Sequence, residues 1–427
     1  MTAEHRGGPG EPGDTRLSDD RAGREAPAGP AAELEVHAGA GSDEQIPGEE
    51  LDGTGAAAAD GRRRVLIRRR TIAALLGAGA AGAAVAAALV GTVGRGRSGA
   101  SGGAEAHVLG RLGSLPPDRG VLIALGAHGD RARTVAGLRG LYTAASSLDG
   151  LTEFSLGLGA SFFDAVELAG RRPRSLTVMP DFPGDLLDPA TTHGDVLLYV
   201  AAPTAGQAEA GERALRAVVP DWAPRWRVLM RRDDNHMAYG RPISRNGLGY
   251  AEGLGNPATS AQLADAALVA PGDGEPDWAV GGSYQVVRRI RLATERWNDH
   301  RQTDRDRIIG RRPDGTWLDG RPADSRPDFT ADPLGRTTPL DAHVRLANPA
   351  AEHGTPAPLV RRSYSSADPS DGHGLVFVCY QRSLANGFTA VQHRLAGEAL
   401  ADYLLTTGGG YWFTPRPDPS WLDQLFA

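Results

Sequence analysis

Five consecutive apolar residues, Val121-Leu122-Ile123-Ala124-Leu125, lead into an amphipathic stretch from Ala132 to Ala145 and then an alternating segment from Leu151 to Leu158. No other feature constrains the fold as much. An unbroken apolar run of this length suits a buried strand, recurrence every three to four residues suits a helix, and alternation suits a half-buried strand. Val196 to Val200 reads as a further strand and Gln207 to Val218 as a further helix, so the succession is that of the split βαβ unit. The second half repeats the theme, with strands at Ser283 to Leu292 and Leu375 to Tyr380 and helices around Thr303 to Ile309 and Gly397 to Leu405. We therefore expect an α+β protein of two similar halves, an N-terminal domain over 107–265 and a C-terminal domain over 266–427. Pro271 to Pro276 forms a loop between them. The irregular polar segment from Gly310 to Thr338 is long enough to suggest a functional loop.

Ahead of this pattern the chain is different. Residues 1–60 are rich in Gly, Ala, Pro, Glu and Asp without apolar period, a composition that predicts disorder. Over 61–106, Arg62-Arg63-Arg64 and Arg68-Arg69-Arg70 precede an uncharged Ala/Gly/Leu/Val segment from Thr71 to Val93, and Ala104-Glu105-Ala106 supplies a small-x-small site. That is the layout of an export signal. The Arg69-Arg70 pair resembles a twin-arginine signal, so the mature protein would begin near His107 outside the cytoplasmic membrane. A membrane anchor is the alternative, since about twenty uncharged residues can span a bilayer. Otherwise the membrane enters only through this segment or the export machinery. Gly77 to Gly82 matches GxGxxG by chance, with no strand before it.

Composition narrows the function. The 427 residues carry a net charge of −6, and beyond the N-terminal region no basic block is interleaved with aromatics, so nucleic acid is not an expected partner. The single cysteine, Cys379, excludes an intramolecular disulfide and a CxxC metal site, and its apolar run predicts a buried thiol. GxSxG, GxxxxGK[ST] and HExxH patterns are absent from the mature chain, which removes support for hydrolase and kinase readings.

Four local patterns remain, in a fixed order: Arg245 to Pro257 (RNGLGYAEGLGNP); Gly281 to Arg291 with Glu295, Trp297 and Arg307 to Arg311; His343 to Pro349 (HVRLANP); and Arg361-Arg362-Ser363-Tyr364 with Gly374 to Gln381 and Thr407 to Tyr411. Together they resemble the dye-decolorizing peroxidases over nearly all of residues 107–427. The resemblance implies two ferredoxin-like domains of the dimeric α/β-barrel type, one haem b in the C-terminal half, and hydrogen peroxide and a reducing co-substrate as partners. It leaves room for a homo-oligomer.

His343 is then the axial iron ligand, because a neutral imidazole supplies one strong donor and leaves the other face open. By itself such a histidine reads more readily as one satisfied in a core. The family's distal carboxylate and the first arginine of its Arg-Arg pair fall on Glu252 and Arg361. Cleaving peroxide requires one group to move a proton between the two oxygens and a cation to stabilise the charge that develops. Glu252 replaces the Asp of the family's GxxDG loop, a departure that lengthens the side chain by one methylene; the other reading makes it a loop residue pointing away. Gly253, Leu254, Gly255, Asn348, Pro349 and Ala350 match segments that line haem in the family, with the glycines allowing close backbone approach. Arg345 is either a haem-propionate partner or a structural ion pair. Tyr380, Tyr411 and Trp412 either pack in the core or pass oxidising equivalents outward.

The resemblance implies a peroxidase that oxidises phenolic, dye-like or metal-ion donors through a ferryl intermediate. Two rivals stay open. One is an iron-releasing role in which haem is itself the substrate; the other is a haem-binding or electron-transfer protein with weak peroxidase activity.

Overall fold

A computed structural model describes residues 111–127, 130–348, 359–368 and 372–427. The expected disordered tail, the export segment, Pro349 and Ala350 lie outside these residues. No helix among the described residues is long and apolar enough to cross a membrane.

The N-terminal half supplies strands β1 (Arg119–Gly126), β2 (Glu153–Gly159), β3 (Val196–Ala202) and β4 (Ala223–Arg231). They stand in the order β4-β1-β3-β2, all antiparallel. Helices α1 (Arg131–Ser147) and α3 (Ala205–Val218) cross behind them, with the short α2 (Ala160–Ala165) following β2. Asp130 and Thr204 cap α1 and α3 by accepting from the third residue on, which stabilises each helix by about 1 kcal/mol. Leu138 and Leu141 of α1 and Leu215 of α3 are fully buried and join Ile123 and Leu125 in one core.

A connecting region carries a separate three-stranded sheet, β5 (Asp233–Ala238), β6 (Arg241–Arg245) and β7 (Ala251–Glu252), and then α4 (Ser260–Ala267), which begins with a capping box at Thr259 and Gln262. The C-terminal half contributes β8 (Ser283–Leu292), helices α5 (Thr294–Asn298), α6 (Gln302–Ile309) and α7 (His343–Ala347), then β9 (Val360–Arg361), β10 (Tyr364–Ser366), β11 (Gly374–Gln381), helix α8 (Ala390–Arg394) and β12 (Leu404–Thr414). Both β9 and β10 pair with β11, so they act as one interrupted strand. The order β12-β8-β11-β9/β10 then repeats that of the first half, and both are ferredoxin-like.

The halves join at both edges. β2 pairs with β12 through Gly159 and Trp412, and β4 pairs with β10 through Arg231 and Ser365. An antiparallel barrel results, which removes open sheet edges. Leu122, Tyr199 and Val228 from one half and Val287, Val376 and Trp412 from the other fill its interior.

One expectation fails. Gly397 to Leu405 is not a helix: a short 3-10 turn spans Ala399–Tyr403, and Leu404 already opens β12. The glycine run that hid this strand has a packing cause. A side chain at Gly408 would meet the Thr191 carbonyl at 2.4 Å, and Gly409 has φ +121 just after a register shift against β8 between Thr406 and Gly408. Cys379 is buried as its apolar run predicted.

Candidate functional site

Alternation along two strands creates the site. Val287 of β8 and Val376 and Val378 of β11 face the barrel interior, so Arg288, Ile290 and Leu292 and also Leu375 and Phe377 face outward. These outward residues form the wall of a cavity of about 310 Å³ that also takes in His343, Asn348, Glu252 and Arg361. The volume lies at the low end for ligand sites.

His343 opens the short helix α7 and is partly exposed to the cavity. Its Nδ1 lies 2.8 Å from Oε2 of Glu398, whose side chain is only 4% exposed. A carboxylate only accepts, so Nδ1 carries the proton and Nε2 keeps its lone pair for a ligand. Glu398 is 55 positions further along the chain. No local pattern links it to His343, and sequence reasoning missed it.

The loop after β6 and the two-residue strand β7 bring Glu252 to the cavity, half-buried, with its Oε1 accepting from Asn246 Nδ2 at 3.2 Å. Gly253 follows at φ +95, and a side chain there would meet the Pro242 carbonyl at 2.2 Å. At Gly255 an added carbon would lie 2.8 Å from Arg361 Nη2. Gly253 is thus required by the protein backbone itself, whereas the contact at Gly255 is with the end of a flexible side chain that can give way. Leu254 lines the cavity and packs with Ile243 and Ala323.

Arg361 enters from β9. Asn256 holds it by the backbone, accepting from its N–H at 3.0 Å and donating to its carbonyl at 2.8 Å. Burial pulls the Arg361 guanidinium below its ordinary range, and the nearby Glu252 carboxylate partly offsets that. Among the described residues no hydrogen bond holds this guanidinium. Arg311, which sequence reasoning left in the second pattern without a role, stacks 3.7 Å from the Trp317 ring centre and donates to the carbonyls of Gly315 and Ala323. Burial, then Arg361 and Arg241, push it down to about 10. At the other edge Arg288 and Asp185 form a buried ion pair, 2.5 Å apart.

Arg345 is not in the cavity wall. It is 8% exposed, donates to the carbonyls of Asp332 and Thr338 at 2.9 and 3.0 Å, and lies over the Phe329 ring. These hydrogen bonds, both from Nη1, and the Asp332 carboxylate at 3.7 Å are those of the structural alternative. Asn348 does line the cavity, and its Oδ1 is buried without a hydrogen-bond partner among the described residues. Tyr380, Tyr411 and Trp412 are 2%, 5% and 0% exposed, buried in core clusters as their packing alternative has it.

Among the described residues the cavity therefore offers one imidazole with a free nitrogen, a carboxylate, and a guanidinium without a hydrogen bond, all on an apolar floor. Among the described residues no group of three or more His, Cys, Asp or Glu could hold a bare metal ion. A single imidazole can hold iron where a macrocycle supplies the other donors, and the apolar floor suits such a ring.

Known proteins share this fold. The family model for Dyp-type peroxidase, N-terminal, matches residues 140–228, and that for Dyp-type peroxidase, C-terminal, matches residues 243–418. The chain is 38% identical over 280 residues to a deferrochelatase of Yersinia pestis, covering 62% of this chain and 64% of that protein's length. Among solved structures it is similar to a DyP-type peroxidase from Streptomyces coelicolor, with a TM-score of 0.63, 29% identity and coverage of 70% of this chain and 89% of the other. Another, from Cellulomonas bogoriensis, has a TM-score of 0.63 and 30% identity over 71% of this chain and 91% of the other. With a match in each half, the chain belongs to the Dyp-type peroxidase family.

Proposed function

We propose that the cavity holds one haem b with its iron on His343, and that the protein reduces hydrogen peroxide while oxidising a phenolic, dye-like or metal-ion donor. Bound haem would supply the redox centre for both half-reactions. The observation that carries this reading is the joining of three elements in one cavity: an imidazole backed by buried Glu398, the Glu252 carboxylate, and the unpaired Arg361 guanidinium. Glu398 fixes the tautomer of His343 and raises its basicity as a ligand. Glu252 would take a proton from one peroxide oxygen and return it to the other. Arg361 would stabilise charge on the departing oxygen, and with no hydrogen bond to its guanidinium among the described residues it can turn its donors to that task.

A second reading is favoured by the name of the Yersinia pestis relative, deferrochelatase. In it haem is the substrate, and the products are iron and intact porphyrin. Rapid-mixing absorption spectra of the haem-reconstituted protein with peroxide separate the two readings. Fast oxidation of the haem band followed by return on adding a phenol supports the peroxidase, whereas appearance of metal-free porphyrin supports iron release. His343→Ala should abolish the haem band, and retention of an unchanged band would remove the foundation of both.

A further inference from the structure

Glu252 carries one more rotatable bond than the aspartate it replaces in the family pattern, so a proton shuttle at this position needs something to hold it. The structure contains such a group. Asn246, in the turn between β6 and β7, accepts at Oδ1 from the backbone N–H groups of Leu248 and Tyr250, both at 3.0 Å. Its own backbone N–H donates to the Tyr250 carbonyl at 3.0 Å. Two N–H groups on one side fix which end of the carboxamide is oxygen, since a flipped amide would set donors against donors. Nδ2 is thereby aimed at Oε1 of Glu252, 3.2 Å away. Among the described residues this is the one hydrogen bond to the Glu252 carboxylate.

We infer that Asn246 is a positioning residue: it anchors Oε1 of Glu252 so that Oε2 is left to exchange the proton in the cavity. The inference rests on the reading of Glu252 as the proton shuttle. Misplacement of a reacting group by about an ångström can cost around a hundredfold in rate, so an anchor on a three-torsion side chain has a measurable effect.

Asn246→Asp is the discriminating change. It keeps both acceptor contacts that tie the turn, but replaces the donor facing Glu252 with a carboxylate oxygen. Amide exchange at Leu248 and Tyr250 should stay slow, showing that the turn survives. In the haem-reconstituted protein the bimolecular reaction with peroxide should slow at least tenfold, while the later step with the donor keeps its rate. In a Glu252→Gln background the same change should add nothing.

An Asn246→Asp protein as fast as its parent, beside a slow Glu252→Gln protein, overturns the positioning role alone. Equal slowing in the Glu252→Gln background overturns it as well, because Asn246 would then act elsewhere. A fast Glu252→Gln protein overturns the shuttle reading itself. A measurement on the haem-free protein needs no substitution at 246: the side-chain amide resonances of Asn246 should move on Glu252→Ala, and resonances that stay in place contradict the anchor.

Discussion

Arg361 and Arg362 are neighbours in the chain and opposites in surroundings. Arg362 points into the barrel, where it donates to Glu153 of β2 at 2.5 Å and to the Ser114 carbonyl at 2.9 Å. Burial works against its charge, but Glu153 and the surrounding phenols outweigh that and hold it firmly protonated. Beside it Tyr199 donates to Glu153 at 2.8 Å and its oxygen lies 2.7 Å from that of Tyr364. Arg361, one position earlier, faces the cavity with its backbone clamped by Asn256 and its guanidinium without a hydrogen bond among the described residues. On the barrel side the guanidinium of Arg362 is paired, whereas on the cavity side that of Arg361 is left open among the described residues. Strand alternation alone separates the two environments.

Breaking the barrel pair should have the largest effect. Arg362→Leu strands the Glu153 carboxylate in the interior and should cost about 3–5 kcal/mol of folding stability, read from denaturant midpoints. A loss below about 1 kcal/mol would mean that water reaches Glu153 and that the interior is less closed than the contacts indicate.

Arg361→Leu tests the other side. No carboxylate is left without its hydrogen-bonded partner, so stability should change by no more than about 1 kcal/mol, while the reaction with peroxide slows by about a hundredfold. The reverse outcome, a large loss of stability at an unchanged rate, would make Arg361 a structural residue like its neighbour.

The smallest effect concerns alkaline pH. Burial in the barrel raises the Tyr364 phenol from 10.0 to about 12. The unfolded chain thus gives up this proton first, so the contribution is complete below pH 10 and is lost as pH rises toward 12. Stability measured across that window should fall, and Tyr364→Phe should flatten the fall by on the order of 2 kcal/mol at its upper end. An unchanged slope would assign the alkaline sensitivity to other groups.

Much of the fold is legible in residue order. The runs at Val121 to Leu125, Val196 to Val200 and Leu375 to Tyr380 are strands, and the periodic stretches that became α1, α3 and α6 are helices within a few positions. Strand β4 was readable too, since Trp226, Val228 and Met230 alternate with arginines at 225 and 227, but that signal was passed over. β12 was not readable, because its glycines answer a chain segment, Thr191 to His193, that crosses it from far away. The site divides in the same way. His343, Glu252 and Arg361 stand in recognisable strings, and the structure brings all three to one cavity.

Residue order by itself determined which faces of the strands are apolar, because that is a local property of period, and it held the strings whose family resemblance singled out His343, Glu252 and Arg361. Tertiary structure alone decided that Glu398 backs His343, that Nη1 of Arg345 is committed to carbonyls away from the cavity, and that of two adjacent guanidinium groups only that of Arg362 is hydrogen-bonded among the described residues. The reason is that hydrogen-bond completion depends on groups brought together by barrel closure across tens to hundreds of residues, and no periodicity in the chain encodes those distances.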